Sequence, residues 1–519
     1  MSDTDIIFYL VAENDLAQRV IDDEVNSSYR VEWDGVGVLQ VGLGRTSKKP
    51  GSLISFGRDQ TRSDVVFPTK QWSSLHCHFF LNKSSLALIL RDTSMTNSTE
   101  VMYIDKADDR TYKLQGTPRQ RVLLRGEAII VSMGRAHFQI SWPEHQSSVE
   151  NENFEQAKAL FAQREMPSGL DWTDLDFRVL PETAYETRSA HTPHVATQYE
   201  KLPTIVHELS AFLGAGTFGT VHRTLDLDNG NLLAVKRSTR PSDQEHYKPE
   251  WKREVEILAR LSHANIVKFV HSQGWNIGAP VEIFMSLHEG TLKSLMSRHR
   301  CDQSPGPAPL YTDALFMQVV LALHYLHGEG IIHKDVKPDN ILYDHKGTDN
   351  QLAFYLTDFG LSKEQDLESA GDCVEGSIPY MAPEVYQSQP HTGKSDMWSL
   401  GVMMLEVLGY FCIQEIDLEP REWRNRMALL PNFQPNFSFE LYQGPPISNT
   451  SWPNHLRWYG RLLALPKNKM IIHDCLIPLL KDNAKDRFDT RRVIARFPSE
   501  NPVRRYNLRN LAVRQEFRL

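Results

Sequence analysis

The chain has 519 residues, 41% of them hydrophobic and 24% charged, with a formal net charge of -8 at pH 7. This length predicts about two to four domains, and this composition is typical of folded soluble proteins. The negative net charge argues against direct nucleic-acid binding, and five scattered cysteines without a CxxC pair argue against a zinc site or a disulfide framework.

The N-terminus lacks the features of a secretory signal, because it is acidic where a signal peptide is basic and its apolar run is short. The chain also has no stretch that approaches the ~20 apolar residues of a membrane helix. We therefore expect a soluble protein of a reducing compartment, nuclear or cytoplasmic, with no membrane partner.

The chain changes character three times. Short apolar runs between Gly, Ser, Asn and Asp clusters predict many strands over residues 30–142, as in a β-sandwich or barrel. Residues 143–205 contain one amphipathic segment followed by a stretch rich in Thr, Pro and His, which predicts a linker with one short helix. Residues 206–497 predict strands followed mostly by helices, and residues 498–519 form a basic tail.

A glycine-rich turn between two strands is predicted in LGAGTFGTVHR. Gly214, Gly216 and Gly219 have no Cβ atom, so backbone N–H groups there can approach phosphate oxygens. Glycine-rich hairpins are common, so this pattern alone has low specificity. Val221 follows at a position from which it could cover an adenine ring.

A lysine ends the apolar strand LLAVKR, where a charge is unexpected. Lys236 is either an edge-strand lysine in solvent or a contact to nucleotide phosphates. The second interpretation needs an acidic partner on an inward-facing helix. The segment WKREVEILARLSH supplies Glu254 for that pairing, on one face with apolar residues.

The segment IIHKDVKPDN is the most specific in the chain. Asp335 could accept or orient a hydroxyl, Lys337 could neutralise charge on a transferring phosphoryl group, and Asn340 could hold a metal. The alternative is an ordinary surface loop, which the flanking apolar runs disfavour. Asp358 then follows an apolar strand and suits Mg²⁺, which prefers few carboxylates together with phosphate oxygens.

Two further charges are predicted to be structural. Glu384 in the APE motif is expected to be buried, with Arg487 as its cation, and Asp396 is expected to brace the loop that carries Asp335.

In order and spacing, these segments resemble the eukaryotic protein kinases over residues 206–497. The resemblance implies an α+β two-lobed fold, with ATP and Mg²⁺ as cofactors and proteins as substrates. It implies that Lys236 pairs with Glu254, that Asp335 is the catalytic base and that Asn340 and Asp358 bind Mg²⁺. Lys337 points to the Ser/Thr class. The nucleotide-binding residues implied are Leu213, Gly214, Gly216, Gly219, Val221, Ala234, Lys236, Met285 and Glu289.

The sequence departs from that family at two positions. Lys334 stands where the family usually has an arginine that clamps a phosphorylated activation loop, and lysine lacks the bidentate fork. Ser377 replaces the usual threonine before the APE motif and keeps a hydroxyl that can reach Asp335 and Lys337. Ser369 is either a phosphorylation site or a plain loop serine.

Three polar clusters stand out in the β-rich region, in SFGRDQTRSDVVF, WSSLHCHFF and LRDTSMTNST. They are either three ordinary turns or, taken together, a phosphate site built from arginine, hydroxyl and amide donors on the loops of a rigid sheet.

The combination resembles a forkhead-associated (FHA) domain, which is a β-sandwich that binds phosphothreonine peptides. By that resemblance Arg58 and Ser73 hold the phosphate, while Asn97 grips the peptide backbone. Thr96 and Ser74 assist, and His76 braces the loops. Ser98 departs from the family's usual glycine.

The domain order resembles the FHA-containing checkpoint and meiotic kinases of the DNA-damage response, which is an analogy of architecture. It implies phosphothreonine-containing partners and a homodimer formed when phosphorylated Thr197, in a Thr-Gln pair, binds a second copy. Two alternatives remain: a catalytically dead kinase fold that acts as a phosphopeptide-dependent scaffold, and an enzyme whose FHA-like module is purely structural.

Overall fold

A computed structural model describes the following residues: 5–104, 110–114, 118–143, 148–163, 204–216, 219–238, 244–275, 279–299, 311–346, 351–364, 375–386, 389–408, 475–476, 478–481 and 483–496. They form two compact units. The first unit contains the described residues up to 163 together with 204–215 and 220–235. The second contains Gly216, Gly219 and the described residues from 236 onward. In this part of the chain no helix is long and apolar enough to cross a membrane.

The β module is defined as residues 5–163, and its described residues form twelve strands and two α-helices. The strands are β1 (Ile6–Ala12), β2 (Arg30–Trp33), β3 (Val36–Gly42), β4 (Ile54–Gly57), β5 (Val65–Val66), β6 (Cys77–Leu81), β7 (Leu88–Asp92), β8 (Thr99–Tyr103), β9 (Arg110–Lys113), β10 (Gln120–Leu123), β11 (Ile129–Met133) and β12 (Ala136–Ser141). The helices are α1 (Asp15–Asp22) and α2 (Ser148–Gln163).

These strands form two sheets that share one core. The first has the order β2-β3-β1-β12-β11-β8-β9, and the second has the order β10-β7-β6-β4-β5. Strand β12 alternates buried and half-buried residues, which places Phe138 inside. Phe8 from the first sheet meets Phe79 from the second with ring centroids 5.1 Å apart. The predicted β-sandwich is confirmed.

The predicted start of this module at residue 30 is wrong. Strand β1 lies inside the first sheet, paired with both β3 and β12. Phe8 and Leu10 enter the main core, whereas Ile6 and Tyr9 pack with Val38 on the other face of the sheet. A strand that is buried on both faces has a continuous apolar sequence. Strand β1 therefore lacks the alternation of apolar and polar residues by which half-buried strands are recognised.

Helix α2 belongs to the module as well as to the predicted linker. Phe154 is buried in the main core, and Ala157 and Phe161 pack against it. The predicted helix is therefore present, but its apolar face packs against the core of the β-sandwich. The linker predicted to start at residue 143 contains an element that packs on the β module.

The remaining elements follow in chain order. The strands are β13 (His207–Ala215), β14 (Thr220–Asp226), β15 (Leu232–Arg237), β16 (Phe269–Gln273), β17 (Glu282–Ser286), β18 (Gly290–Thr291), β19 (Ile331–Ile332), β20 (Ile341–Lys346), β21 (Gln351–Leu356) and β22 (Lys363–Glu364). The helices are α3 (Gln244–Arg260), α4 (Leu292–His299), α5 (Thr312–Gly328), α6 (Pro383–Tyr386), α7 (Gly393–Val407) and α8 (Thr490–Ile494).

Within the first unit, the turn between β14 and β15 packs on the β module. The N–H of Val122, on the edge strand β10, donates to the carbonyl oxygen of Leu227 at 2.8 Å. Arg121 and Asp228 form an ion pair at 3.1 Å. Leu227 also joins an apolar cluster with Ile89 and Val122. This contact covers a sheet edge that would otherwise be free to pair with another chain.

The second unit has a helical core around α5. Ten of the seventeen residues of this helix are buried, including Leu315, Phe316 and Leu323. The strands β18, β20 and β21 form a small sheet, and β19 pairs with β22. A helix that is apolar on most of its surface lies inside the protein, so α5 gives the loop after it a rigid base.

Candidate functional site

Lys236, Glu254 and Asp358 meet at one point of the second unit. The Lys236 Nζ lies 2.7 Å from the Glu254 Oε1 and 2.8 Å from the Asp358 Oδ1. The Lys236 and Glu254 side chains are only 7% and 3% exposed. This excludes the interpretation of Lys236 as an edge-strand lysine in solvent. The predicted contact with a glutamate on an inward-facing helix is present.

Apolar packing places these charges. Lys236 ends a run of four buried residues in β15. Glu254 lies on α3 beside Val255, Ile257 and Leu258, all buried. The apolar face of α3 therefore faces inward and takes Glu254 with it.

The ion pairs determine the direction of the pKa shift at Lys236 and Asp358, whereas burial raises the pKa of Glu254. Burial by itself would lower the pKa of Lys236, but the carboxylates of Asp358 and Glu254 raise it above its ordinary value. Burial would likewise raise the pKa of Asp358, and Lys236 reverses that effect and lowers it. Lys236 is thus cationic and Asp358 anionic, as contacts to phosphates and to a metal require.

Asp335 lies in a dense hydrogen-bond network. Its Oδ2 is 2.7 Å from the Lys337 Nζ and accepts from the Asn340 Nδ2 at 2.9 Å. Its Oδ1 accepts from the backbone N–H of Ser377 at 3.0 Å. Lys337 also donates to the Ser377 Oγ at 2.6 Å. Ser377 therefore reaches Lys337 through its hydroxyl, as predicted, but reaches Asp335 through its backbone.

Asp396 holds the loop that carries Asp335. Its Oδ1 accepts from the Lys334 N–H at 2.9 Å, and its Oδ2 accepts from the His333 N–H at 3.0 Å and contacts the His327 Nε2 at 2.9 Å. Helix α7 begins with a capping box at Thr392, which fixes Asp396 in its first turn. The predicted bracing contact is present.

The predicted pair of Glu384 and Arg487 is also present. The Arg487 Nη1 and Nη2 donate to the two Glu384 carboxylate oxygens at 2.6 and 2.9 Å. Arg487 is fully buried, and it donates to the carbonyl oxygens of Lys481 and Lys394 as well. Such a bidentate pair fixes both angle and distance.

The glycine-rich turn has one position that requires glycine for space. A Cβ on Gly219 would lie 2.3 Å from the Arg237 carbonyl oxygen, whereas a Cβ on Gly214 or Gly216 would meet nothing within 4 Å. Gly214 pairs with Val221 in the hairpin of β13 and β14. The candidate nucleotide residues of the first unit are Leu213, Gly214, Val221 and Ala234.

Met285 and Glu289, the candidate hinge residues, lie in the second unit. Met285 is buried in β17. The Glu289 carboxylate is directed at His345, accepting from its N–H at 2.9 Å and lying 2.6 Å from its Nδ1. The backbone N–H of His345 lowers the pKa of Glu289. Nucleotide binding by Glu289 stays a prediction, since this carboxylate already has a partner.

Asn340 and Asp358 supply the oxygen donors that suit Mg²⁺. Asn340 uses its Nδ2 on Asp335, to which it donates twice, and this leaves its Oδ1 as the available metal ligand. Asp358 contributes a carboxylate. One amide oxygen and one carboxylate match an ion that keeps water and phosphate oxygens in its remaining positions.

In the β module, the structure brings the three polar clusters together. The N–H of Arg58, directly after β4, donates to the Ser73 carbonyl oxygen at 3.0 Å. The Ser73 Oγ accepts from the Met95 N–H at 3.1 Å. Arg58 is exposed. Ser73 is therefore tied to both of the other loops, next to an arginine side chain in solvent.

A second arginine joins this site and was not predicted. The Arg62 Nη1 lies 3.5 Å from the Ser74 Oγ. A Cβ on Gly57 would lie 2.2 Å from the Ser74 carbonyl oxygen, so the two loops are in close contact there. Arg62 follows Arg58 by four residues, and this spacing within one loop was the only available signal.

The third loop carries Thr96 and Asn97. Both side chains are exposed, and Asn97 has a left-handed backbone with φ +50°. The Thr96 Oγ1 lies 2.8 Å from the Ser98 Oγ, which contacts the buried His76 at 3.4 Å. Burial lowers the pKa of His76. The expectation that His76 braces the loops agrees with this geometry.

Glu375 is a further residue of the site that was not predicted from the sequence. Its Oε2 lies 2.8 Å from the Nζ of Lys334, and the residues are 41 positions apart. The sequence offered only an acidic residue ahead of the Gly-Ser pair of GSIPY. The candidate phosphorylation sites Thr197 and Ser369 lie outside the described residues.

The chain matches the family model of the protein kinase domain over residues 207–492, more than half of its length. It is 32% identical to mitogen-activated protein kinase kinase kinase 3 of Arabidopsis thaliana, over 41% of this chain and 32% of that protein. It is 35% identical to ribosomal protein S6 kinase alpha-1 of Rattus norvegicus, over 42% of this chain and 29% of that protein.

The chain thus spans about a third of the length of these curated relatives. The matched range agrees with the one predicted from the motifs and leaves the β module outside the family model. By this match, the chain belongs to the protein kinase domain family.

Proposed function

We propose that the chain is an active Ser/Thr protein kinase that transfers the γ-phosphoryl group of ATP to protein hydroxyls. The observation that carries this proposal is the complete charged set around Asp335, Lys236 and Asp358, in which each of these side chains lies within 2.8 Å of an oppositely charged partner. A catalytically dead scaffold would have no need of it. Relatives that are named as kinases support the same conclusion.

Each residue has a role that its contacts support. Asp335, held by Asn340 and Ser377, accepts or orients the proton of the substrate hydroxyl. Lys337, 2.7 Å from Asp335, neutralises charge on the transferring group. Lys236 binds phosphate oxygens while Glu254 fixes its position. Bound Mg²⁺, held by Asn340 and Asp358, supplies charge neutralisation.

The test is Asp335→Asn in the full-length chain, assayed with Mg-ATP and a library of Ser/Thr peptides. We expect kcat to fall by at least about 10²-fold with little change in the melting temperature, since positioned acid–base groups contribute about 10²–10⁴-fold. Asp339→Asn is the matched control, because Asp339 lies in the same loop and pairs with the exposed Lys293. Equal kcat in wild type and Asp335→Asn would reject the proposal.

We propose further that the β module reads phosphothreonine in the manner of an FHA domain. Support comes from the three converging loops: the Arg58 N–H donates to the Ser73 carbonyl oxygen, the Arg62 Nη1 lies 3.5 Å from the Ser74 Oγ, and the Ser73 Oγ accepts from the Met95 N–H. Arg58 and Arg62 are both exposed. Arginine and hydroxyl donors on neighbouring loops suit a phosphate dianion. Asn97 stands at the exposed tip, where a peptide backbone can be bound. The partners would be phosphothreonine-containing proteins.

This second proposal is tested by the affinity of the full-length chain for matched phosphothreonine and threonine peptides. Arg58→Ala should weaken phosphopeptide binding by about 10–100-fold, because it removes a charge-assisted contact. Arg30→Ala is the control, since Arg30 is an exposed arginine on β2, in the other sheet from β4, and pairs with Asp22. Equal affinity of wild type for the two peptides would leave the β module a structural domain.

The order of a phosphopeptide-reading module and a kinase domain favours signalling at DNA-damage or cell-cycle checkpoints, in the nucleus or cytoplasm. Thr197 is the proposed site for an upstream kinase, and its phosphorylated form would be bound by the β module of a second copy. Sedimentation of full-length chain phosphorylated at Thr197 should show a dimer that Thr197→Ala and Arg58→Ala both abolish. A monomer under these conditions would contradict this dimerisation.

A further inference from the structure

The catalytic loop, defined as the segment from His333 to Asn340, is tied to Glu375 by an ion pair from Lys334. The Lys334 Nζ lies 2.8 Å from the Glu375 Oε2, and the Lys334 side chain has no exposed surface. Glu375 is 30% exposed, and Lys363 lies farther from the same oxygen, at 3.8 Å. A buried ammonium group is stable only with such a partner, so Lys334 requires an anion at this place.

The two residues after Glu375 continue the contact. A Cβ on Gly376 would lie 2.8 Å from the Lys334 carbonyl oxygen, and the φ of Gly376 is +114°. Ser377 then binds Asp335 through its N–H and Lys337 through its Oγ. Glu375, Gly376 and Ser377 therefore all lie against the catalytic loop.

The backbone conformation of Lys334 is strained and must be enforced by the contacts around it. Its φ is +74°, a left-handed conformation that costs a non-glycine residue energy and persists only where its surroundings enforce it. Asp396 holds the Lys334 N–H from one side, and Glu375 holds its ammonium group from the other.

We propose that Glu375 is a positioning residue that replaces a phosphorylated side chain. Its carboxylate brings to Lys334 the negative charge that phosphorylation would otherwise supply, so residues 375–377 are placed against the catalytic loop without modification. Lysine fits this role because a single ammonium contact satisfies one carboxylate oxygen without a bidentate fork. The inference rests on the proposed kinase activity.

The experiment uses full-length chain treated with phosphatase, with the absence of phosphate verified by intact mass. We expect this wild type to phosphorylate a Ser/Thr peptide with at least half the kcat of untreated enzyme. Under the same conditions Glu375→Gln should lose about tenfold or more in kcat with an unchanged KM for ATP, because it acts on the catalytic loop and not on the nucleotide.

Further variants separate charge from folding. Glu375→Asp keeps the charge on a shorter side chain and should lose less kcat than Glu375→Gln. Lys334→Met is measured alone and in combination with Glu375→Gln. The double variant should lose no more kcat than the more impaired of the two single variants, since both changes break the same contact. Glu364→Gln is the control, because Glu364 forms an exposed ion pair with Arg260 next to Lys363.

Three outcomes would overturn the inference: dephosphorylated wild type without activity, wild-type kcat in Glu375→Gln, or equal losses in the Asp and Gln variants. An enzyme that is active only when phosphorylated would reject this inference and leave the kinase proposal intact. An enzyme that is inactive in both states would reject both.

Discussion

The two candidate sites of this chain handle charge in opposite ways. In the kinase domain, Lys236, Glu254 and Asp396 are almost fully buried, and each is held by oppositely charged or hydrogen-bonding partners. In the β module, Arg58 is exposed on a loop. Because a buried charge without partners is costly, these three side chains depend on the partners that hold them. An exposed arginine stays hydrated until a ligand replaces the water.

This difference predicts where substitutions act. Changes to buried, paired charges should lower the free energy of unfolding, whereas changes to the exposed arginines should lower ligand affinity and leave folding intact.

The largest effect is expected for Arg487→Met. Arg487 is fully buried and forms a bidentate pair with Glu384, so its removal leaves a carboxylate without its cation. We expect a loss of about 3–5 kcal/mol in the free energy of unfolding. Arg260→Met, which breaks a pair with both side chains about half exposed, should cost less than about 1 kcal/mol. Urea denaturation measures both free energies of unfolding. Similar losses in the two variants would show that the buried pair contributes no more to stability than the exposed pair.

The next effect concerns pH. Burial would raise the pKa of Asp396, but hydrogen bonds from His327 and the His333 N–H lower it below the ordinary value. A folded-state pKa below the unfolded one stabilises the protein above the unfolded value, and this stability is lost as the pH falls through the folded value.

Wild type should therefore lose stability on acidification below about pH 4 more steeply than Asp396→Asn, by up to ~1.4 kcal/mol per pH unit, the value for one proton. Urea midpoints across this range measure the two slopes. Parallel slopes would show that Asp396 keeps an ordinary pKa in the folded protein.

A smaller effect is expected where the β14–β15 turn packs on the β module. Arg121 and Asp228 pair at 3.1 Å, and their side chains are 5% and 28% exposed. Their exposure is intermediate between that of the buried charges of the kinase domain and that of the exposed arginines of the β module. A double-mutant cycle with Arg121→Met and Asp228→Asn should give a coupling of about 1 kcal/mol in the free energy of unfolding. The exposed pair of Lys113 and Glu100 is the control and should give close to zero. Zero coupling for both pairs would argue that the turn adds no stability through this ion pair.

The proposed catalytic residues could be predicted from the sequence because phosphoryl transfer requires particular side chains at fixed spacing. Asp335, Lys337 and Asn340 lie within six residues, so the loop they form can be recognised as a short contiguous motif. Glu384 and Arg487 are 103 positions apart, but a buried glutamate requires a cation, and this need identified Arg487.

What could not be predicted depends on tertiary contacts that leave no periodic signal. Strand β1 is apolar on both faces, and only its pairing with β3 and β12 shows that it belongs to the sandwich. The role of Glu375 follows from a lysine 41 positions away. Arg62 could be assigned only after the loop placed it next to Ser74.

The smallest effect on folding, and the sharpest test of the separation, is expected for Arg62→Gln. Its contact to the Ser74 Oγ is long, at 3.5 Å, and exposed, so the free energy of unfolding should change by less than about 0.5 kcal/mol. Phosphothreonine-peptide affinity should nevertheless fall by about three- to tenfold, and less so at high salt, because the lost attraction is between screened surface charges. Titrations at two salt concentrations measure this, with Arg30→Gln as the control. An affinity loss that is independent of salt, or that is matched by Arg30→Gln, would mean that Arg62 does not act as a charge toward the phosphate.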